Sequence, residues 1–259
     1  MNKKLDQFDQ LEGWIIVVVI GMLVFMAESI LAQQLIFSSL LLYSAILLLL
    51  LLYGTFRYPL PQYQLLVLSI PAISRLMAYT LPLGNLSPMF AHLIIGIPMG
   101  LTAVSLTWVL GHKWPALHLA WQKMPTYLLL LLGGIISGLI LHQLQPPAPL
   151  TWSTPVLLLF YLFVLIGAMA FLEEWLFRGI MQTALNRVWN NWVWVSLVVA
   201  LFYTALTFSQ APFLFSLTIF LLAMLLSWLR YRSQSLFEVV LLHGTINVVY
   251  FLILPIWLT

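Results

Sequence analysis

Pro155-Val156-Leu157-Leu158-Leu159-Phe160-Tyr161-Leu162-Phe163-Val164-Leu165-Ile166-Gly167-Ala168-Met169-Ala170-Phe171-Leu172 runs eighteen residues without a charge, and Glu173 and Glu174 follow at once. As a helix this stretch rises about 27 Å, close to the ~30 Å hydrocarbon thickness of a bilayer. Eight further stretches read the same way: Trp14–Ala32, Leu35–Tyr53, Gln64–Pro82, Met89–Leu110, Thr126–Leu144, Trp192–Phe208, Pro212–Leu229 and Leu236–Trp257. The span that opens at Pro155 is expected to end near Phe177. Short connections rich in Pro, Gly or Gln separate them, as at Gln145-Pro146-Pro147. The fold expected is all-α: a polytopic transmembrane helical bundle of about nine spans, or eight if one segment is re-entrant.

Composition excludes the alternatives. Of 259 residues, 63% are apolar and only 7% charged, with a mean hydropathy of +1.06. Soluble domains devote about a quarter of their residues to charged side chains. An ordinary cytosolic enzyme, a disordered chain and a nucleic-acid binder are therefore ruled out, and membrane lipid is the expected partner. Cysteine is absent, so neither disulfides nor a thiolate metal site nor a cysteine nucleophile is available. Basic residues mark every second connection: Lys3 and Lys4, Arg57, Lys113 and Lys123, Arg187, then Arg230 and Arg232. The intervening connections carry none, which predicts a cytoplasmic N-terminus and an outside C-terminus. The acidic residues among the first twelve do not read as a cleaved signal peptide.

An ionised side chain in mid-bilayer costs at least ~2.5–3.5 kcal/mol, so each asks for a partner. Glu28 and Arg75 fall at similar depths and are expected to pair. His92, His112 and His118 read as solvated or capping histidines. Glu174 and Arg178 stand four apart on one helical face and read as a structural clamp. Glu173 points about 100° away, toward the bundle interior, where a lone carboxylate suits general-base work. His243 and Asn247, also four apart, offer hydrogen-bond donors to a developing oxyanion. Gly96–Gly100 and Gly134–Gly138 have the small-residue spacing of helix contacts, most simply within the chain.

Glu173-Glu174 with Arg178, then His243 with Asn247, resemble the motifs of the CAAX-protease and bacteriocin-processing family of intramembrane proteases, which includes the type II prenyl endopeptidases. The likeness covers roughly Pro155 to Pro255; residues 1–150 read as generic membrane helices and 151–259 as the protease-like core. The resemblance implies that Glu173 activates a water attacking a peptide bond of a membrane-associated substrate, possibly prenylated, while His243 and Asn247 steady the oxyanion. It implies no obligatory metal, although zinc stays open; one histidine with carboxylates is thin beside the three protein ligands usual for catalytic zinc. The middle motif departs: Phe202 is followed, four residues on, by Leu206 where the family has histidine. Tyr203 and Gln210 share roughly its face and offer polar tips in its stead. Two accounts stay open, a differently supported protease and a catalytically impaired pseudoprotease acting as a membrane binding, assembly or immunity factor.

Overall fold

The computed structural model describes residues 3–58, 61–81, 86, 88–114, 117–118, 120–147, 154–209 and 211–257. Among the described residues nine rods follow the expected stretches. α1 is Lys3–Ala32 and α2 Ile36–Arg57. A 3-10 run, Pro61–Ser69, continues into α3, Ile70–Thr80. α4 is Pro88–Val109, α5 Met124–Leu144, α6 Pro155–Trp189, α7 Trp192–Phe208 and α8 Phe213–Ser233. α9, Leu236–Asn247, continues through Val248–Ile253 and Leu254–Trp257.

Seven of these rods are long and apolar enough to cross a membrane. The third and seventh fall short of that measure for different reasons. The tighter 3-10 winding of Pro61–Ser69 leaves only eleven α-helical residues in α3, yet the two pieces together rise roughly 34 Å. α7 has seventeen residues, or about 26 Å, a few ångströms under the hydrocarbon thickness. The sixth rod departs in the other direction. It does not stop at Phe177 but runs 35 residues to Trp189, because nothing in Gly179–Val188 breaks a helix beyond one glycine. Its end is set by Asn190, left-handed at φ 48°, and by Asn191, whose side chain accepts from the backbone N–H of Val193 and Trp194 to cap α7. Gln234, at φ 57°, and the Ser235 cap perform the same turn between α8 and α9. Thr154 caps α6, with Pro155 in its first turn.

The bundle is apolar outside, and the polar groups of its spans gather in an otherwise apolar interior. Leu48, Leu49, Leu128, Leu129 and Phe213 are exposed, whereas Glu28, Arg75, Glu174, Arg178, His243 and Asn247 are buried. In lipid this arrangement costs nothing outside, and it demands that each inner polar group find a partner. Contacts also gather the basic residues at one end. Arg57 pairs with Glu12, Lys123 with Glu238 at 2.7 Å, and Arg187 donates to the carbonyls of Leu110 and Gly111. That end therefore carries the N-termini of α5 and α9 and the C-termini of α2, α4 and α6.

The expected Glu28–Arg75 pair forms, and it is bidentate: Nε to Oε1 at 2.5 Å and a terminal nitrogen to Oε2 at 2.8 Å. Tyr43 and Ser209 also donate to the Glu28 carboxylate, each at 2.5 Å. The same Arg75 guanidinium donates to the carbonyl of Leu206. One buried cluster thus ties α1, α2 and α3 to the end of α7. His112 is not a solvated loop residue: Nε2 meets Gln64 Oε1 at 3.0 Å, against the end of α4. Both glycine pairs pack within the chain, Gly96 against Ala168 and Leu172 of α6, Gly134 and Gly138 against Thr245 and Val249 of α9.

Candidate active site

α6 changes its winding around the acidic pair. Val164–Phe171 and Trp175–Met181 carry the wider π-type turns, flanking Leu172–Glu174. Such stretches re-aim side chains and recur at functional sites. Here they leave Glu174 fully buried on one side and Glu173 on the wall of a cavity of about 390 Å³.

Glu174 organises the dry side. Its Oε1 accepts from Arg178 at 3.1 Å and from His243 Nδ1 at 2.6 Å; the side chains of Glu174 and Arg178 have no exposed area. Arg178 also donates to the carbonyl of Ala223 in α8 and lies over the Tyr203 ring, 4.7 Å from its centroid. Since Glu174 can only accept when ionised, the shared proton belongs on Nδ1 of the imidazole, and Nε2 is the ring atom turned to the cavity. The clamp therefore does more than brace one helix: it orients His243 across to α6.

Glu173 faces the wet side, its side chain 37% exposed. Its Oε2 accepts the Tyr203 hydroxyl at 2.7 Å and stands 3.9 Å from His243 Nε2. Asn247, one turn beyond His243, donates from Nδ2 to the carbonyl of Leu165 at 3.3 Å, a carbonyl in the first π-type stretch, and also lines the cavity. The second hydrogen on Nδ2 is not used by that bond. Glu173, Tyr203, His243 and Asn247 thus share one recess.

Phe202 is buried in the core, while the Leu206 side chain lines the cavity. Of the two polar residues sharing its face, Tyr203 reaches Glu173, and Gln210 lies outside the described residues. Three histidines never approach the recess: His112 bonds Gln64, the His118 backbone bonds Ser235, and His142 packs on the Tyr250 ring. His92 does approach it. Expected to be solvated near a span end, it lines the cavity from α4 instead. The signal for this was in the sequence: His92 stands four residues before Gly96, on the face that glycine presses against α6.

The pairing of a half-exposed glutamate with a cross-helix histidine, ordered as motif, span, span, motif, decides the comparison. Residues 152–249 match the Rce1-like type II CAAX prenyl endopeptidase family. No curated protein and no solved structure matches the chain significantly. The Rce1-like segment contains Glu173, Glu174, Arg178, Tyr203, Leu206, His243 and Asn247; Glu28, Arg75 and His92 precede it. Among the described residues no group of three or more His, Asp or Glu side chains converges on one point where a metal ion could sit. With His243 Nδ1 committed to Glu174, the recess presents the His243 Nε2 edge, the Glu173 carboxylate and, from α4, the His92 imidazole.

Proposed function

We propose that this integral membrane protein is an endopeptidase that cuts a membrane-associated protein or peptide, prenylated substrates included, near the cytoplasmic leaflet. The observation that carries the reading is the approach of Glu173 Oε2 to His243 Nε2, 3.9 Å apart on the wall of one cavity. A water held there gives a proton to Glu173 while its oxygen bonds the substrate carbonyl carbon. His243, donating from Nε2 when protonated, and the free Asn247 N–H stabilise the oxyanion. The tetrahedral species collapses as the C–N bond breaks, and the leaving nitrogen takes the proton that Glu173 received. Glu174 fixes the His243 ring, and Arg178 braces Glu174 while lying over the Tyr203 ring. The basic end of the bundle faces the cytoplasm in this reading, in keeping with the charge asymmetry of the connections.

The test is Glu173→Gln, assayed on a quenched fluorescent farnesylated peptide bearing a CAAX C-terminus. Cleavage should vanish while the thermal midpoint in detergent stays put; undiminished turnover refutes the catalytic assignment.

A second reading has its own support. The Leu206 side chain offers the cavity no hydrogen bond, and the Tyr203 hydroxyl occupies an oxygen of Glu173. A binding or assembly factor built on a protease frame would look like this. It predicts that Glu173→Gln complements a deletion strain fully.

A further inference from the structure

Among the described residues the His92 ring makes no hydrogen bond, although it faces the catalytic recess and lies within electrostatic reach of Glu173. It comes from α4, outside the matched segment. Its position is not accidental to helix packing. An added Cβ at Gly96 would stand 3.2 Å from Ala168 Cβ, and one at Gly100 3.7 Å from Leu172 Cδ2, so α4 lies directly against the stretch of α6 that precedes Glu173. His92 is one turn from Gly96 on the same face and has nowhere to point but into the recess.

Depth follows from the same contacts. α4 and α6 both end at the basic end, and Leu172 lies between Gly96 and Gly100. His92 therefore sits roughly 10 Å farther from that end than Glu173, by helix rise. Asn247, one turn past His243, lies only about 6 Å beyond it, so His92 stands roughly 4 Å farther out than the oxyanion donors. An extended peptide covers about 10 Å in three residues.

Resting on the endopeptidase reading above, we propose that His92 is a substrate-contacting residue, its ring N–H donating to a peptide oxygen about three residues from the cleaved bond. That oxygen is a backbone carbonyl or a terminal carboxylate; both are acceptors, and an imidazole N–H serves either.

The experiment compares His92→Ala and His92→Gln with the unaltered protein on two farnesylated CAAX peptides, one ending in a free acid and one in an amide. His92→Ala should lower kcat/KM about tenfold or more, chiefly through KM, since an acceptor loses its partner in a desolvated recess. Gln, which keeps an N–H donor, should recover part of the loss, and the thermal midpoint should stay within a degree or two. A loss common to both peptides assigns the oxygen to a backbone carbonyl; a loss confined to the free acid assigns it to the carboxylate. The contact is also read without turnover: in Glu173→Gln, adding His92→Ala should weaken peptide binding by a similar factor. Values within twofold in both formats, with Glu173→Gln inactive, overturn the role of His92 and leave the protease standing. Cleavage that survives Glu173→Gln, or no binding of the peptide at all, overturns the endopeptidase reading and this inference with it.

Discussion

A methyl group on Gly134 tests how tightly α9 must be held. Its Cβ would stand 2.6 Å from Thr245 Cβ, 2.7 Å from Thr245 Cγ2 and 3.2 Å from the Leu242 carbonyl oxygen. Ordinary carbon contacts lie at about 3.5–4.0 Å, so roughly 1 Å is missing. Thr245 cannot swing aside, because its Oγ1 is bonded to the Leu241 carbonyl at 2.7 Å, and the backbone carbonyl has no rotamer to change. α9 itself must retreat. Overpacking of this kind costs about 1–3 kcal/mol, against about 1 kcal/mol gained from the helix preference of Ala over Gly. Gly134→Ala should therefore lose up to about 2 kcal/mol. Gly133 is the control: its added Cβ would meet only Leu242 Cδ1, at 3.7 Å, so Gly133→Ala should gain about 1 kcal/mol. Function should separate the two further. His243, two residues before Thr245, would be drawn off its 2.6 Å bond to Glu174, and an ångström of misplacement can cost about a hundredfold in rate. Thermal unfolding in detergent and peptide cleavage read both effects. If Gly134→Ala equals Gly133→Ala in midpoint and turnover, close α5–α9 packing is not what positions the histidine.

Tyr203→Phe keeps the ring beneath Arg178 and removes only the hydroxyl on Glu173; cleavage should fall about two- to tenfold, as expected for one lost hydrogen bond, with little change in thermal midpoint. Arg75→Met strands the buried Glu28 carboxylate and should cost about 3–5 kcal/mol, while adding Glu28→Leu should recover much of that, a pattern that thermal unfolding of the two variants would expose. His112 adds a pH dependence. Burial first, then the nearby Arg187 charge, pull its pKa from 6.5 down to about 4; the folded state keeps it neutral where the unfolded chain protonates. Its contribution to stability is whole above pH 6.5 and is lost as pH falls toward 4, at up to about 1.4 kcal/mol per pH unit. His112→Gln should flatten the midpoint-against-pH curve in that window, and a parallel decline in both proteins would contradict it.

Much of this architecture was legible because lipid leaves few choices. Uncharged runs of helical length had to be rods, and the spacing of Lys and Arg ordered their ends. Buried Glu28 and Arg75 had to meet, since neither survives alone in an apolar interior. The i, i+4 spacing put Glu174 on Arg178 and His243 in line with Asn247. What escaped depends on winding and on contacts between helices. Nothing in Val164–Phe171 announces π-type turns, so the bond from Asn247 to the Leu165 carbonyl was invisible. Nor does Pro61–Ser69 announce a 3-10 run. The continuation of α6 to Trp189 was hidden because apolar length marks where lipid ends, not where a helix does. His92 escaped because its depth was judged from its own span, whereas its surroundings are set by how closely glycine lets α4 approach α6.

Arg75 grips α7 by a main-chain oxygen, that of Leu206. Every amino acid brings the same oxygen, so the anchor is blind to the identity of the residue it holds. The side chain at position 206 can therefore change without the helix slipping its mooring. A protein built this way can accept a different group on the wall of its recess and keep the scaffold.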